Sequence, residues 1–250
     1  MASFSDLAGI VELAETRGRT LRRVKAQMRR TGIGRFLDVL AFRAYYRLAH
    51  AAADRHFEHT LTADVQRRFG PAPAAVPVWR ARSVNAAETI EFLRACRPDF
   101  VIARCKTLLN PAVFQVPARG TYVLHPGICP EYRNAHGCFW ALASRDLARV
   151  GLTLLKIDKG VDTGPVYGYF TYQFDERTET HVRIQQRVLT DNLDAVRDRL
   201  LDAVSGRAAP IDTSLRTSKT WGQPWLTAFA RWKWAARRQA EDAHAGAALP

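Results

Sequence analysis

An α/β fold, with a mostly parallel sheet and helical crossovers, is predicted by three features of the sequence. The apolar run Asp99-Phe-Val-Ile-Ala103 is closed in front by Pro98 and behind by Arg104-Cys-Lys106. Such unbroken hydrophobicity marks a parallel strand covered on both faces. Candidate strands alternate with candidate helices from Val76 to His125. The chain has 250 residues, 47% apolar and 24% charged, which is enough for a sizeable core.

The elements follow in order. Leu7 to Leu13 reads as a short buried strand. From Arg17 to Arg47 the chain carries ten Lys or Arg. Leu21, Val24 and Met28 recur there at helical spacing, as do Phe36, Leu40, Phe42 and Tyr46 after the Thr31-Gly-Ile-Gly34 break. Two amphipathic helices are expected, the second extending towards Phe57. Gly70 to Pro77 holds three prolines and is a connector. Val76 to Val78 reads as a short strand, and Asn85 to Cys96 as a helix capped by Ser83 or Asn85 and closed by Pro98. Pro111 to Val116 is a helical turn, and Gly120 to His125 a strand stopped by Pro126.

Ala135 to Asp146 is a short helix rich in aromatics. Gly151 to Ile157 and Val166 to Phe174 alternate in part, as strands of an antiparallel extension around the Asp158 to Pro165 loop. His181 to Val204 reads as one long amphipathic helix, with Ile184, Val188, Leu193, Val196 and Leu200 near one face. After Gly206 the composition shifts, and Trp221, Trp225, Trp232 and Trp234 sit among Lys219, Arg231, Lys233, Arg237 and Arg238. The expected division is an α/β unit over residues 1–205 and a basic, Trp-rich extension over 206–250.

Lys and Arg total 37 against 24 Asp and Glu, a formal charge of +13. The charge concentrates in the Arg17 to Arg47 stretch and the tail. It fits tRNA phosphate, or a solvated helix face, and the latter is favoured. The tail suits an anionic membrane interface, packing over the sheet, or a homodimer contact. Cys96, Cys105, Cys129 and Cys138 form no CxxC pair and no metal-ligand spacing, so no metal is expected. No signal-peptide pattern opens the chain, which points to reduced thiols and a cytoplasmic protein. No apolar run approaches the ~20 residues that span a bilayer.

The chemistry concentrates between Leu124 and Val166. His125 ends a strand before a Pro-Gly turn, where ligands of open α/β sheets bind. A histidine there titrates near neutral pH and can act as acid or base. Asp162 sits in the Gly160-Val-Asp-Thr-Gly164 turn, which carries a carboxylate at a fixed point. A carboxylate beside an imidazole orients the ring and stabilises its protonated form. The residues alone leave open a capped turn and a chance histidine.

The segment His125-Pro-Gly-Ile-Cys-Pro-Glu-Tyr-Arg133, followed by G-x-T-L-x-x-I-D-x-G-V-D-T-G-P from Gly151 to Pro165, resembles the folate-dependent formyltransferases. That family includes glycinamide ribonucleotide, methionyl-tRNA and sugar-amine formyltransferases and formyltetrahydrofolate hydrolases. The resemblance covers about residues 76 to 175. It implies a Rossmann-like formyltransferase fold, 10-formyltetrahydrofolate as donor, and a small-molecule or nucleotide-linked amine as acceptor. His125 and Asp162 match the family's catalytic pair. Lys106, Thr107, Leu108 and Leu109 match the loop against the pterin, and Asp158 to Asp162, with Val161, the loop over the folate. Tyr132 and Arg133 match the turn at the acceptor site.

Two departures accompany the resemblance. The family's catalytic Asn lies two positions before the His, and here that position is Val123, which donates no hydrogen bond. Asn134, in place of the usual Gly, or His136 is then the candidate substitute donor. Leu7 to Leu13 fits the family's second strand, so the first βα unit is expected to be lacking. The alternatives are hydrolysis of the formyl donor and a degenerate, non-catalytic binding module.

Overall fold

The computed structural model describes residues 3–14, 32–70 and 75–247, with side chains to Gln239. The helix expected around Leu21, Val24 and Met28 lies outside the described residues, as do positions 71–74 of the connector. The α/β prediction holds in outline and changes at the element ends.

Strand β1 (Ile10–Leu13) is shorter than expected and pairs in parallel with β2 (Val78–Ala81), which begins where the expected strand ends. The basic helix after Gly32 is two helices, α1 (Ile33–Ala49) and α2 (Ala51–Phe69), divided at His50. Tyr46, near the end of α1, donates to Asp54 at the start of α2. Asp54 is buried and also accepts from Thr180 Oγ1 and, at 2.8 Å, from Arg183 Nε, so the corner is fixed by a satisfied charge.

Helix α3 (Ala87–Cys96) begins at neither Ser83 nor Asn85; its N-cap is Ala86, with no side-chain cap. The expected caps work elsewhere. The Ser83 carbonyl accepts from Thr89 Oγ1, and Asn85 bridges to the Leu108 carbonyl and the Asn110 N–H, both at 2.9 Å.

The principal sheet runs β3-β4-β6-β7. β3 (Val101–Ala103) pairs in parallel with β4 (Thr121–His125), after the turn α4 (Pro111–Phe114). Past the two-residue β5 (Arg133–Asn134) and helix α5 (Gly137–Ala143), β6 (Gly151–Lys156) and β7 (Val166–Thr171) extend the sheet antiparallel, as the alternation predicts. β1–β2 forms a sheet of its own, and no strand among the described residues joins it to β3. The first βα unit that the family resemblance calls for is therefore not among them.

The long helix expected over His181 to Val204 is two, α6 (His181–Asp191) and α7 (Leu193–Ser205). Asn192 breaks it, its amide donating to the Thr171 carbonyl at 2.9 Å and so tying the break to the end of β7. The tail folds back. β8 (Thr220–Trp221) pairs in parallel with β5, and α8 (Leu226–Ala247) packs along α1 and α5. Phe229 and Trp232 of α8 join Phe42, Phe139, Leu154, Ile184 and Leu200 in the main core. Trp221 and Trp225 pack on Trp140, while Trp234 is 60% exposed. Three of the four tail tryptophans thus serve the interior.

Candidate active site

His125 occupies the last position of β4, and the residues around it come from five segments. Its neighbour in the register is Thr153 of β6. Thr153 is fully buried, donates to the Gly127 carbonyl at 2.6 Å and accepts from the Cys129 N–H at 3.0 Å, shaping the turn after the strand. That turn folds tightly over the imidazole. A Cβ on Gly127 would lie 2.5 Å from the Tyr132 carbonyl oxygen and 3.0 Å from His125 Nε2. A Cβ on Gly137 would lie 2.5 Å from Gly127 Cα. The two glycines let backbone meet backbone where no side chain fits.

Both nitrogens of the buried His125 ring face acceptors. Nε2 lies 2.8 Å from the Tyr132 carbonyl oxygen, so Nε2 donates. Nδ1 lies 3.3 Å from Asp162 Oδ2. Asp162 reaches it from the loop between β6 and β7. That loop leaves the sheet beside Thr121, four positions before His125, with the Ile157 N–H donating to the Thr121 carbonyl at 2.7 Å. Asp158 holds the loop together, its Oδ1 accepting from the Gly160 N–H at 2.9 Å and from Thr163 Oγ1 at 2.7 Å. At Gly164 a Cβ would fall 1.8 Å from the Lys156 carbonyl oxygen.

Asn134 closes the constellation. Its backbone N–H donates to Asp162 Oδ2 at 2.7 Å, and its side-chain amide donates to the Trp221 carbonyl at 2.6 Å. Asn134 and Asp162 both have positive φ, 78° and 51°, a region Asn and Asp tolerate better than most residues. Arg133 NH1 donates to the Val161 carbonyl at 2.9 Å, a second clasp between the two loops.

The tail forms a strap over this turn that sequence reasoning missed. Trp221 stacks on Tyr132, centroids 5.7 Å apart and planes 12° apart, and on Trp140 at 4.8 Å. Its indole N–H donates to the Glu131 carbonyl at 2.8 Å. Arg216 pairs with Glu131 at 2.7 Å. The tryptophan content of the tail was the available signal, but nothing local pairs Trp221 with a residue 87 positions earlier.

The remaining candidates divide. Tyr132 and Arg133 stand at the site through their backbone and clasps. Val123 packs beside Cys129, Leu155 and Val166, an apolar patch on the strand face it shares with His125. His136 turns away into the helical layer as the N-cap of α5, its ring 6.4 Å from His181. Burial pushes its pKa down to about 4; a hydrogen bond with Gln223 opposes this, and the charges of Arg43 and Lys106 add to it. Of the loop after β3, Leu109 is buried among Val84, Val113 and Phe114, and Leu108 is 51% exposed. Lys106 and Thr107 lie in that same loop, which Asn85 brackets. Burial pushes the thiols of Cys129 and Cys138 up to about 12, and all four cysteines are free. Among the described residues no cluster of His, Cys, Asp or Glu could hold a metal ion. A concavity of about 460 Å³ lies where β6 ends, lined by Phe114, Gly120, Lys156 and Asp158. It adjoins the Asp158 loop and not His125.

The profile of the family described as Formyl transferase matches residues 46–200, which include β4, both loops and the His125–Asp162 pair. This chain belongs to the formyl transferase family. A methionyl-tRNA formyltransferase of Kosmotoga olearia is 36% identical over 103 residues, 41% of this chain and 31% of that protein. One of Thermotoga maritima is 34% identical over 108 residues, 40% of this chain and 34% of that protein. The match thus spans about a third of these curated relatives. A variant of HypX from Aquifex aeolicus superposes with a TM-score of 0.50 at 21% identity, covering 70% of this chain and 31% of that one. That likeness speaks for the fold alone. The fold is the Rossmann-like α/β arrangement of the formyl transferase family. Among the described residues no helix is long and apolar enough to cross a membrane.

Proposed function

We propose that this chain transfers a formyl group from 10-formyltetrahydrofolate to an amine, small or nucleotide-linked, with His125 and Asp162 as the acid/base pair. The observation that carries this reading is the 3.3 Å approach of Asp162 Oδ2 to His125 Nδ1, with Nε2 held at 2.8 Å by the Tyr132 carbonyl. The amine nitrogen attacks the formyl carbon, and the carbonyl oxygen takes the electron pair. The amine proton passes to Asp162 or Nδ1. As the bond from carbon to N10 of the folate breaks, N10 receives a proton from the same pair, and the formamide and tetrahydrofolate remain.

Nε2 keeps its bond to Tyr132 throughout, so Nδ1 is the working nitrogen. Each proton-transfer role is worth ~10²–10⁴-fold. With Val123 unable to donate, the second amide hydrogen of Asn134 is the proposed oxyanion donor, worth ~10²–10³-fold. The folate is proposed to lie against Lys106 to Leu109, Asp158 and Val161, and the acceptor beside Tyr132 and Arg133.

A specific observation favours a second reading, a folate-binding module without turnover. Both His125 nitrogens are engaged inside the protein, and the strand face at Val123 is apolar. The separating experiment offers 10-formyltetrahydrofolate with a panel of amines and follows tetrahydrofolate formation beside calorimetric folate binding. Amine-dependent turnover supports transfer, and formate release without amine supports hydrolysis. Binding without turnover supports the module. No binding at all overturns all three.

A further inference from the structure

Helix α1 carries two apolar faces. Val39 and Phe42 point into the core, where Phe42 meets Phe139 and Phe229. On the other side Ile33, Leu37, Leu40 and Leu48 are 72%, 57%, 40% and 86% exposed. Their spacing, with Ala44 between, puts them in one stripe along the helix, opposite Phe42. Scattered exposed leucines are ordinary, but four aliphatics aligned on one helix face form a surface that water penalises.

We propose that this stripe docks the protein on an anionic lipid surface. The charge around it selects that partner. Arg43 and Arg47 border the stripe on the helix. Within the helix the one acid is Asp38, and its carboxylate accepts from the Thr227 N–H and hydroxyl. An apolar stripe bordered by cations is the pattern that inserts at the acyl boundary and holds anionic headgroups. A nucleic acid would use the cations but gain nothing from the aliphatics. A second copy would set two such basic borders against each other without a counter-charge. The tail contributes little, because Trp221, Trp225 and Trp232 are packed within the fold.

The test is co-sedimentation of the full chain with phosphatidylglycerol vesicles and with phosphatidylcholine vesicles. Leu37→Glu and Leu48→Glu serve as variants, since both positions are exposed and the fold can be checked by thermal unfolding. Binding to phosphatidylglycerol alone is expected, weakened by salt. Each substitution should lower the affinity about tenfold, the loss of one inserted leucine. Equal binding to both vesicles, no binding, or indifference to the two substitutions overturns the proposal. So does loss of binding through Trp234→Ala instead, which moves the contact to the tail. It is equally overturned if the variants disrupt self-association or RNA binding while lipid binding is absent.

Discussion

The backbone N–H of Asn134 donates to the carboxylate of Asp162 at 2.7 Å, joining the turn after β4 to the loop between β6 and β7. Any residue but proline offers that N–H at 134, so the side chain is free to serve a different end. Asn134→Gly keeps the backbone donor and the positive φ, and removes only the amide. Turnover is expected to fall ~10²-fold if the amide binds the oxyanion. Adding Val123→Asn to that variant should recover most of the loss by returning a donor to the strand. Tetrahydrofolate formation measures both; unchanged turnover in Asn134→Gly would reduce Asn134 to a turn residue.

Trp221 positions the site through Tyr132, whose carbonyl fixes His125 Nε2. Trp221→Ala removes two ring stacks and an indole hydrogen bond, a cost of about 2–4 kcal/mol. Beyond that loss, the His125 ring should lose its single orientation. Nitrogen-15 spectra of the imidazole read this directly: the wild-type ring is expected in one state, and the variant ring in exchange between states. Trp221→Phe keeps the stacking and should restore the wild-type spectrum. A wild-type His125 spectrum in Trp221→Ala would make the strap a stability element only.

Gly164→Ala is expected to displace the loop that carries Asp162. The added Cβ would stand 1.8 Å from the Lys156 carbonyl, which is backbone and cannot yield locally. Turnover should fall as far as in Asp162→Asn, ~10²–10⁴-fold, while the unfolding midpoint moves little, because the loop contributes few core residues. A large stability loss with near-normal turnover would place the loop's role in folding instead.

Stability should fall as the solution is acidified. Burial holds His136 at about 4, below its ordinary 6.5, and pushes the fully buried His181 well down too. Between pH 6.5 and about 4 the unfolded chain binds protons that the folded chain refuses, so unfolding is favoured as pH falls through that window. His136 alone accounts for about 3 kcal/mol by pH 4. Thermal unfolding at about pH 7 and about pH 5 should show a lower midpoint at the acid value. His136→Asn, which tolerates the positive φ, should show a smaller drop.

Much of this site was legible in the sequence because its residues obey local rules. His125 at a strand end before Pro-Gly and Asp162 between glycines are both set by backbone geometry within a few residues. Their 3.3 Å approach follows once β4 and β6 pair, and the alternation in Gly151 to Ile157 foretold that strand. The breaks at His50 and Asn192 were not legible. Neither carries Gly or Pro, and each is fixed by distant partners, Thr180 and Arg183 on Asp54 in one case and the Thr171 carbonyl in the other. The same holds for His136, which reads as a site residue by its place beside Asn134 but is turned inward against His181 by the packing of α5. The tail's place over the site was not legible either, because tryptophans interleaved with Lys and Arg suit a lipid interface, packing over the sheet and a dimer contact alike, and only the folded chain turns Phe229 and Trp232 into the core.

The most direct test of the pairing of His125 with Asp162 is tetrahydrofolate formation by the wild-type protein and by Asp162→Asn, at matched folate occupancy and with the same amine. Amine-dependent turnover that drops ~10²–10⁴-fold in the variant is predicted. Equal rates in the two proteins, or folate binding without turnover in either, would contradict the proposed chemistry.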